Sequence, residues 1–169
     1  SVYRADLANR QNNADKAEHW ANEALSTLKN HETQRLAFNP SPVVPLYAAI
    51  TEFQARAWMV LCEASASRGH LLKAAIFQSQ ALKLVQKAES PNLTAEYWQC
   101  MARNAIRCQA SQLQTRQAID SALSCTRLLN DSRLLNKRQE ELLTMLSTYA
   151  NYQQQAESLE ERFTINNPP

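Results

Sequence analysis

The chain has 169 residues, 44% of them hydrophobic and 20% charged, which is enough length to bury a core and too apolar a composition for a disordered polymer. A formal charge of +2 and a pI near 8.4 favour neither nucleic acid nor an acidic membrane surface, and no apolar run approaches the ~20 residues that cross a bilayer. The only glycine, Gly69, excludes Gly-rich phosphate loops, dinucleotide fingerprints and the Gly-x-Ser-x-Gly elbow, and is compatible with a chain made of helices alone.

Residues 2 to 11 read as the tail of a helix with Ala5 and Leu7 as its apolar positions, and Asn12-Asn13 as a break that caps the next helix. That second helix starts near Ala14 and repeats small and large apolar residues at Ala17, Trp20, Ala21, Ala24 and Leu28. Starting so near the end of a helix pair implies either a cut from a longer array or a capping unit. The N-terminus lacks a basic start followed by an apolar core, so no uncleaved secretion signal is expected. Pro40, Pro42 and Pro45 then mark a rigid connector over residues 38–45, because each proline disfavours helix in the residue before it.

A long helix follows from Pro42 or Pro45 to about Ser67, with Trp58, Leu61, Cys62 and Ser65 on one side. Gly69 turns the chain into a fourth helix whose stripe is Ala74, Phe77, Ala81, Leu84, Val85 and Ala88. Ser90-Pro91 starts the fifth, with Tyr97, Met101, Ala105 and Cys108. The sixth runs from about Gln112 to Leu129 with Ala118, Ala122 and Cys125, and Asn130-Asp131 opens a seventh with Leu135, Leu142, Leu146 and Tyr149. An eighth helix, Tyr152 to Phe163, is expected to close the fold before a frayed tail at 165–169.

Trp58-x-x-Leu61, then Gly69, Ala74 and Ala81, resembles the tetratricopeptide repeat, in which a Trp-x-x-Leu-Gly-x-x-Tyr helix pairs with an Ala-x-x-x-Phe helix. Cys62, Ser65, Gln78 and Gln86 depart from that pattern. The anchors Ala17, Ala74, Ala118 and Ala156 lie 57, 44 and 38 residues apart, longer than the family's ~34, so the chain is more similar to divergent relatives such as the helical effector domains of large transcription activators. The resemblance implies an all-α fold of about eight helices, antiparallel pairs at roughly 2–37, 42–89, 91–129 and 131–164 stacked in a right-handed superhelix.

From Cys100 to Arg138 seven basic residues face two acids, and from Gln139 onward five Glu face one Arg. Arg103 and Arg107, at i, i+4 spacing, share one face of the first helix of their pair. In tetratricopeptide proteins the first helices line a concave groove for a partner peptide, and the resemblance places Met59, Glu63, Arg103, Arg107, Glu141 and Met145 on the equivalent face, with both arginines open to solvent in the free protein. The expected role is a non-catalytic adaptor or scaffold that binds a protein segment, acidic in character, in that groove. A ligand-sensing or regulatory domain of a transcription activator is one alternative, and nucleic-acid binding through the basic 100–138 block is another.

No catalytic residue, cofactor or metal ligand is expected: His19, His31 and His70 are dispersed, and adjacent Glu140-Glu141 and Glu160-Glu161 point about 100° apart on a helix. Cys62, Cys100, Cys108 and Cys125 have no Cys-x-x-Cys spacing and sit on helices, which suits buried reduced thiols and a cytoplasmic home. Asn92-Leu93-Thr94 and Asn130-Asp131-Ser132 fit the glycosylation pattern, but helix capping accounts for them.

Overall fold

A computed structural model describes residues 1–38 and 44–147, with the side chains of 35–38 and 44–47 excepted. Among the described residues there are seven helices and no strand: α1 Val2–Arg10, α2 Ala14–Phe38, α3 Val44–Ser67, α4 Leu71–Ala88, α5 Pro91–Arg107, α6 Gln112–Arg127 and α7 Ser132–Ser147. Helices α2 and α3 extend into the expected connector, to Phe38 and from Val44, and its residues 39–43, the expected eighth helix, Tyr149 and Ala156 lie outside the described residues.

The turns explain the helix ends. After α3 the amide of His70 donates to the carbonyl of Ser65 and that of Gly69 to Ala66, both at 3.0 Å, with Gly69 at φ +74. This paired closure satisfies carbonyls that the helix leaves open and needs a left-handed residue, which glycine adopts without a Cβ penalty. The same closure ends α1, where Asn13 bonds Ala8 and Asn12 bonds Asn9 with Asn12 at φ 55. It ends α5 as well, where Ala110 bonds Ala105 and Gln109 bonds Ile106 with Gln109 at φ 51. Asparagine tolerates that backbone; glutamine has no such allowance and bears the strain.

Helix starts follow capping chemistry. Asn13 Oδ1 accepts from the Lys16 amide at 3.1 Å, Ser90 Oγ from Leu93 at 3.3 Å with Pro91 in the first turn, Ser111 Oγ from Gln114 at 3.2 Å, and Asp131 Oδ1 from Arg133 at 2.9 Å. Asn92, in the glycosylation pattern, does not cap. Its Oδ1 accepts from Arg138 Nε at 3.1 Å, so that side chain ties α5 to α7.

Each helix packs on the next in the chain, and α1 also packs on α3, α3 on α5 and α5 on α7; α2, α4 and α6 make no close backbone contact with one another. The odd-numbered helices therefore form a continuous layer, and the even-numbered ones lie in the outer positions. Alanines allow the close approach: Ala5, Ala17, Ala21, Ala55, Ala57, Ala81, Ala95, Ala102 and Ala122 are fully enclosed. The larger core residues include Tyr97, Leu61, Leu93, Ile119, Leu142 and Leu146, and Trp58 packs on Phe77 with ring centroids 5.5 Å apart. Leu7 departs from expectation, being 55% exposed, because α1 buries the stripe Val2, Ala5, Ala8 and Asn9 and Leu7 falls off it.

Candidate functional site

The side chains singled out in the sequence converge on the odd-helix layer. A cavity of about 580 Å³ is lined by Asp6, Asn9 and Arg10 from α1, Glu63 from α3, Arg103, Ile106 and Arg107 from α5, and Glu140, Glu141, Thr144 and Met145 from α7. Since α1 and α7 line it together without close backbone contact, they stand as opposite walls, with α3 and α5 as the floor. A second cavity of about 340 Å³ shares Asp6, Arg10, Glu63, Arg103 and Glu141 with the first, and Met59 lines it. Five of the six expected residues thus meet in one cavity and the sixth in its continuation.

Arg103 corrects the expectation of two solvent-facing arginines. Its Nε donates to Glu63 Oε1 at 2.9 Å, and the Glu63 side chain is only 7% exposed against 35% for Arg103. Burial works against the charged guanidinium, but Glu63 outweighs it and holds Arg103 above the ordinary arginine range. Arg107, one turn on, is exposed and has no ion-pair partner among the described residues.

Met59 and Met145, expected as adaptable surface contacts, are buried at 5% and 8% exposure in the main core. Met59 from α3 and Met145 from α7 both pack into that core instead of standing open. Glu141 is also committed, accepting from Arg138 Nη1 at 2.7 Å. Arg138 is buried and reaches Glu96 at 3.6 Å, Asn92 and the Gln99 amide oxygen, while Arg56 bonds Glu96 at 3.2 Å and Glu52 at 3.3 Å. This network ties α3, α5 and α7 together along the inner face. Two of the seven basic residues from 100 to 138, Arg103 and Arg138, are therefore paired with acids within the fold.

Sequence reasoning missed the α1 wall and Glu140. In the structure Asp6, Glu63 and Arg103 each stand six positions before the left-handed residue that ends their helix, Asn12, Gly69 and Gln109, and Arg10 and Arg107 each stand two before. That shared spacing is unmarked in the sequence, because only one of the three turns carries glycine.

On the opposite side, a groove of about 760 Å³ opens between α4 and α6, with Cys62, Trp98, Met101, Asn104 and Cys108 at its base and Gln78, Gln114 and Gln117 along it. Asn104 Nδ2 donates to Cys62 Sγ at 3.4 Å and Cys108 Sγ to the Ala66 carbonyl at 3.7 Å. The four cysteines are free thiols, Cys62 and Cys100 buried and Cys108 and Cys125 half-buried. Burial, with Glu63 adjoining, pushes the Cys62 thiol up to about 12, and burial likewise raises Cys100, so neither is primed as a nucleophile. Among the described residues no three His, Cys, Asp or Glu side chains gather as a metal site, and no helix is long and apolar enough to cross a membrane.

Comparison with known protein families, curated proteins and solved structures finds no match to this chain.

Proposed function

We propose that this chain is a non-catalytic, tetratricopeptide-like interaction module, its helix pairs stacked in a right-handed superhelix, that binds a segment of a partner protein between α1 and α7. The observation that carries the reading is the cavity whose walls are α1 and α7 and whose floor is α3 and α5, lined by charged and apolar side chains in equivalent positions of successive helices. Recurrence of one turn closure after α1, α3 and α5 supports a repeat origin, since each repeat presents the same inner positions to the groove. Arg107 is the residue through which an acidic partner group would be held, because Arg103 and Arg138 already spend their charge within the fold. Free thiols in buried and half-buried places support a cytoplasmic role.

A second reading, a ligand-sensing regulatory domain, draws on the same cavity: about 580 Å³ lies within the ~300–1,000 Å³ usual for small-molecule sites. Nucleic-acid binding draws little support from a basic block whose Arg103 and Arg138 are ion-paired to Glu63, Glu96 and Glu141.

A photo-crosslinking residue at exposed Thr144, inside the groove, compared with one at exposed Lys83 on α4, tests the reading in extract of the source cells. A discrete protein adduct at position 144 that Arg107→Glu diminishes is the expected result. Equal adducts at both positions, or an adduct only at position 83, would contradict it.

A further inference from the structure

The charges around the groove are of two kinds. Asp6 with Arg10 at 2.9 Å, Glu63 with Arg103 at 2.9 Å and Glu141 with Arg138 at 2.7 Å are matched within the chain. Arg107 on α5 and Glu140 on α7 are not. Both are exposed, both line the same cavity, and neither side chain has a hydrogen-bond or ion-pair partner among the described residues. Two apolar side chains, half-buried Ile106 and largely buried Met145, line the same cavity.

An acid-only segment would meet Arg107 but would also lie against Glu140 and Glu141, and a base-only segment would be repelled by Arg10 and Arg107. The internal pairs cancel much of their own fields, so Arg107 and Glu140 dominate selection within this cavity, with exposed Lys137 lining the adjoining one. We infer that the groove selects a partner segment carrying both an acidic and a basic residue on one face, the acid meeting Arg107, the base meeting Glu140, and an apolar side chain between them resting on Ile106 and Met145. This rests on the groove reading above and narrows its partner from acidic to mixed charge. Leaving one charge of each sign open is also a device for specificity, because a segment of either single sign gains one contact and loses another.

Three alanine-based helical peptides of equal length test it, bearing Glu and Lys one helical turn apart, Glu at both places, or Lys at both places. Each is titrated at low salt into the isotopically labelled full chain while backbone amide resonances are followed, because exposed charge pairs are screened by salt. The mixed peptide should bind about fivefold or more tighter than either single-sign peptide and shift amides around Arg107 and Glu140, as about one exposed charge contact per peptide end implies. Arg107→Glu or Glu140→Lys alone should remove that preference. The double variant Arg107→Glu/Glu140→Lys should restore it, since the exchanged pair accepts the same peptide reversed. Tighter binding of the all-Glu peptide, no difference among the three, or no recovery in the double variant would overturn the inference while leaving a groove of other selectivity standing. Shifts confined to α2, α4 and α6 would remove the groove reading itself.

Discussion

The odd-numbered helices of the inner layer and the even-numbered ones outside it differ in where charge is buried. The inner face buries charge: Glu63 and Arg138 are 5% and 7% exposed, held by partners on neighbouring helices. Among the described residues the even-numbered helices bury no charged side chain; they expose Leu72 on α4 at 80% and Leu113 on α6 at 66%, as α1 exposes Tyr3 and Leu7, and their ion pairs form a half-exposed network. Arg68, for example, bridges Asp15 and Glu18 of α2, and Lys73 reaches Glu18 at 3.2 Å. Buried pairs are costly to desolvate and costlier to break, whereas surface pairs contribute little. The inner layer thus fixes which helix sits beside which, and enclosed alanines on both sets of helices let them close on the core.

The largest expected effect breaks an inner pair. Arg103→Met leaves the Glu63 carboxylate buried without its partner and should cost roughly 3 kcal/mol, the lower end of the range for broken buried pairs because Arg103 is about one-third exposed. The double variant Glu63→Leu/Arg103→Met should recover most of it. Urea denaturation of the three variants reads both, and a single variant as stable as the parent would show that the pair is surface-like after all.

Next comes the outer layer's packing. Ala81 is fully enclosed on α4, and Ala81→Leu should cost ~1–3 kcal/mol by overpacking the helix contact. An unchanged thermal midpoint would mean that α4 sits looser against its neighbours than the enclosed alanine implies.

The turns should respond more weakly and with opposite signs. Gln109 carries a left-handed backbone at φ 51, so Gln109→Gly should gain up to ~1 kcal/mol, the relief of left-handed strain less glycine's extra unfolded-state entropy. Gly69→Ala should lose about 1 kcal/mol through backbone strain alone, since a Cβ there meets nothing within 4 Å. A loss at Gln109 would show that its side chain contributes more than its backbone costs.

Acid should loosen the outer attachment. Burial would raise the Glu18 carboxyl, but Arg68 and Lys73 prevail and hold it below the ordinary 4.5. A depressed folded pKa means stability that is present above the unfolded value and lost as pH falls through the folded one. Glu18→Gln should therefore flatten the acid limb of the stability profile below about pH 4.5, and an unaltered limb would show that this surface network contributes nothing.

How far the fold was legible follows from the same contrast. Periodic alanines and the Ser90-Pro91 and Asp131 starts located most helices, because capping and stripe spacing are local properties. Of the six residues expected on one face, Glu63, Arg103, Arg107, Glu141 and Met145 line one cavity and Met59 the next, but both methionines are buried in the core, because a helical period carries a face along the chain without saying what covers it. What the sequence left unread was which charges pair. Arg103 and Arg107 look alike one turn apart, and only the approach of Glu63, forty positions away on α3, separates them. The α1 wall was missed because the tetratricopeptide resemblance was anchored on Trp58 to Ala81, and nothing local to Asp6 and Arg10 ties them to residues more than fifty positions away.

The division of the inner face into charges that build the groove and charges left open for a partner is tested most directly by measuring unfolding free energy and affinity for the mixed Glu and Lys peptide together, in Arg103→Met and in Arg107→Glu. The two arginines should separate: Arg103→Met should lose stability by roughly 3 kcal/mol, and Arg107→Glu should lose affinity by about fivefold or more while its stability stays within ~0.5 kcal/mol of the parent. Arg107→Glu destabilising the fold as much as Arg103→Met, with affinity untouched, would contradict the account.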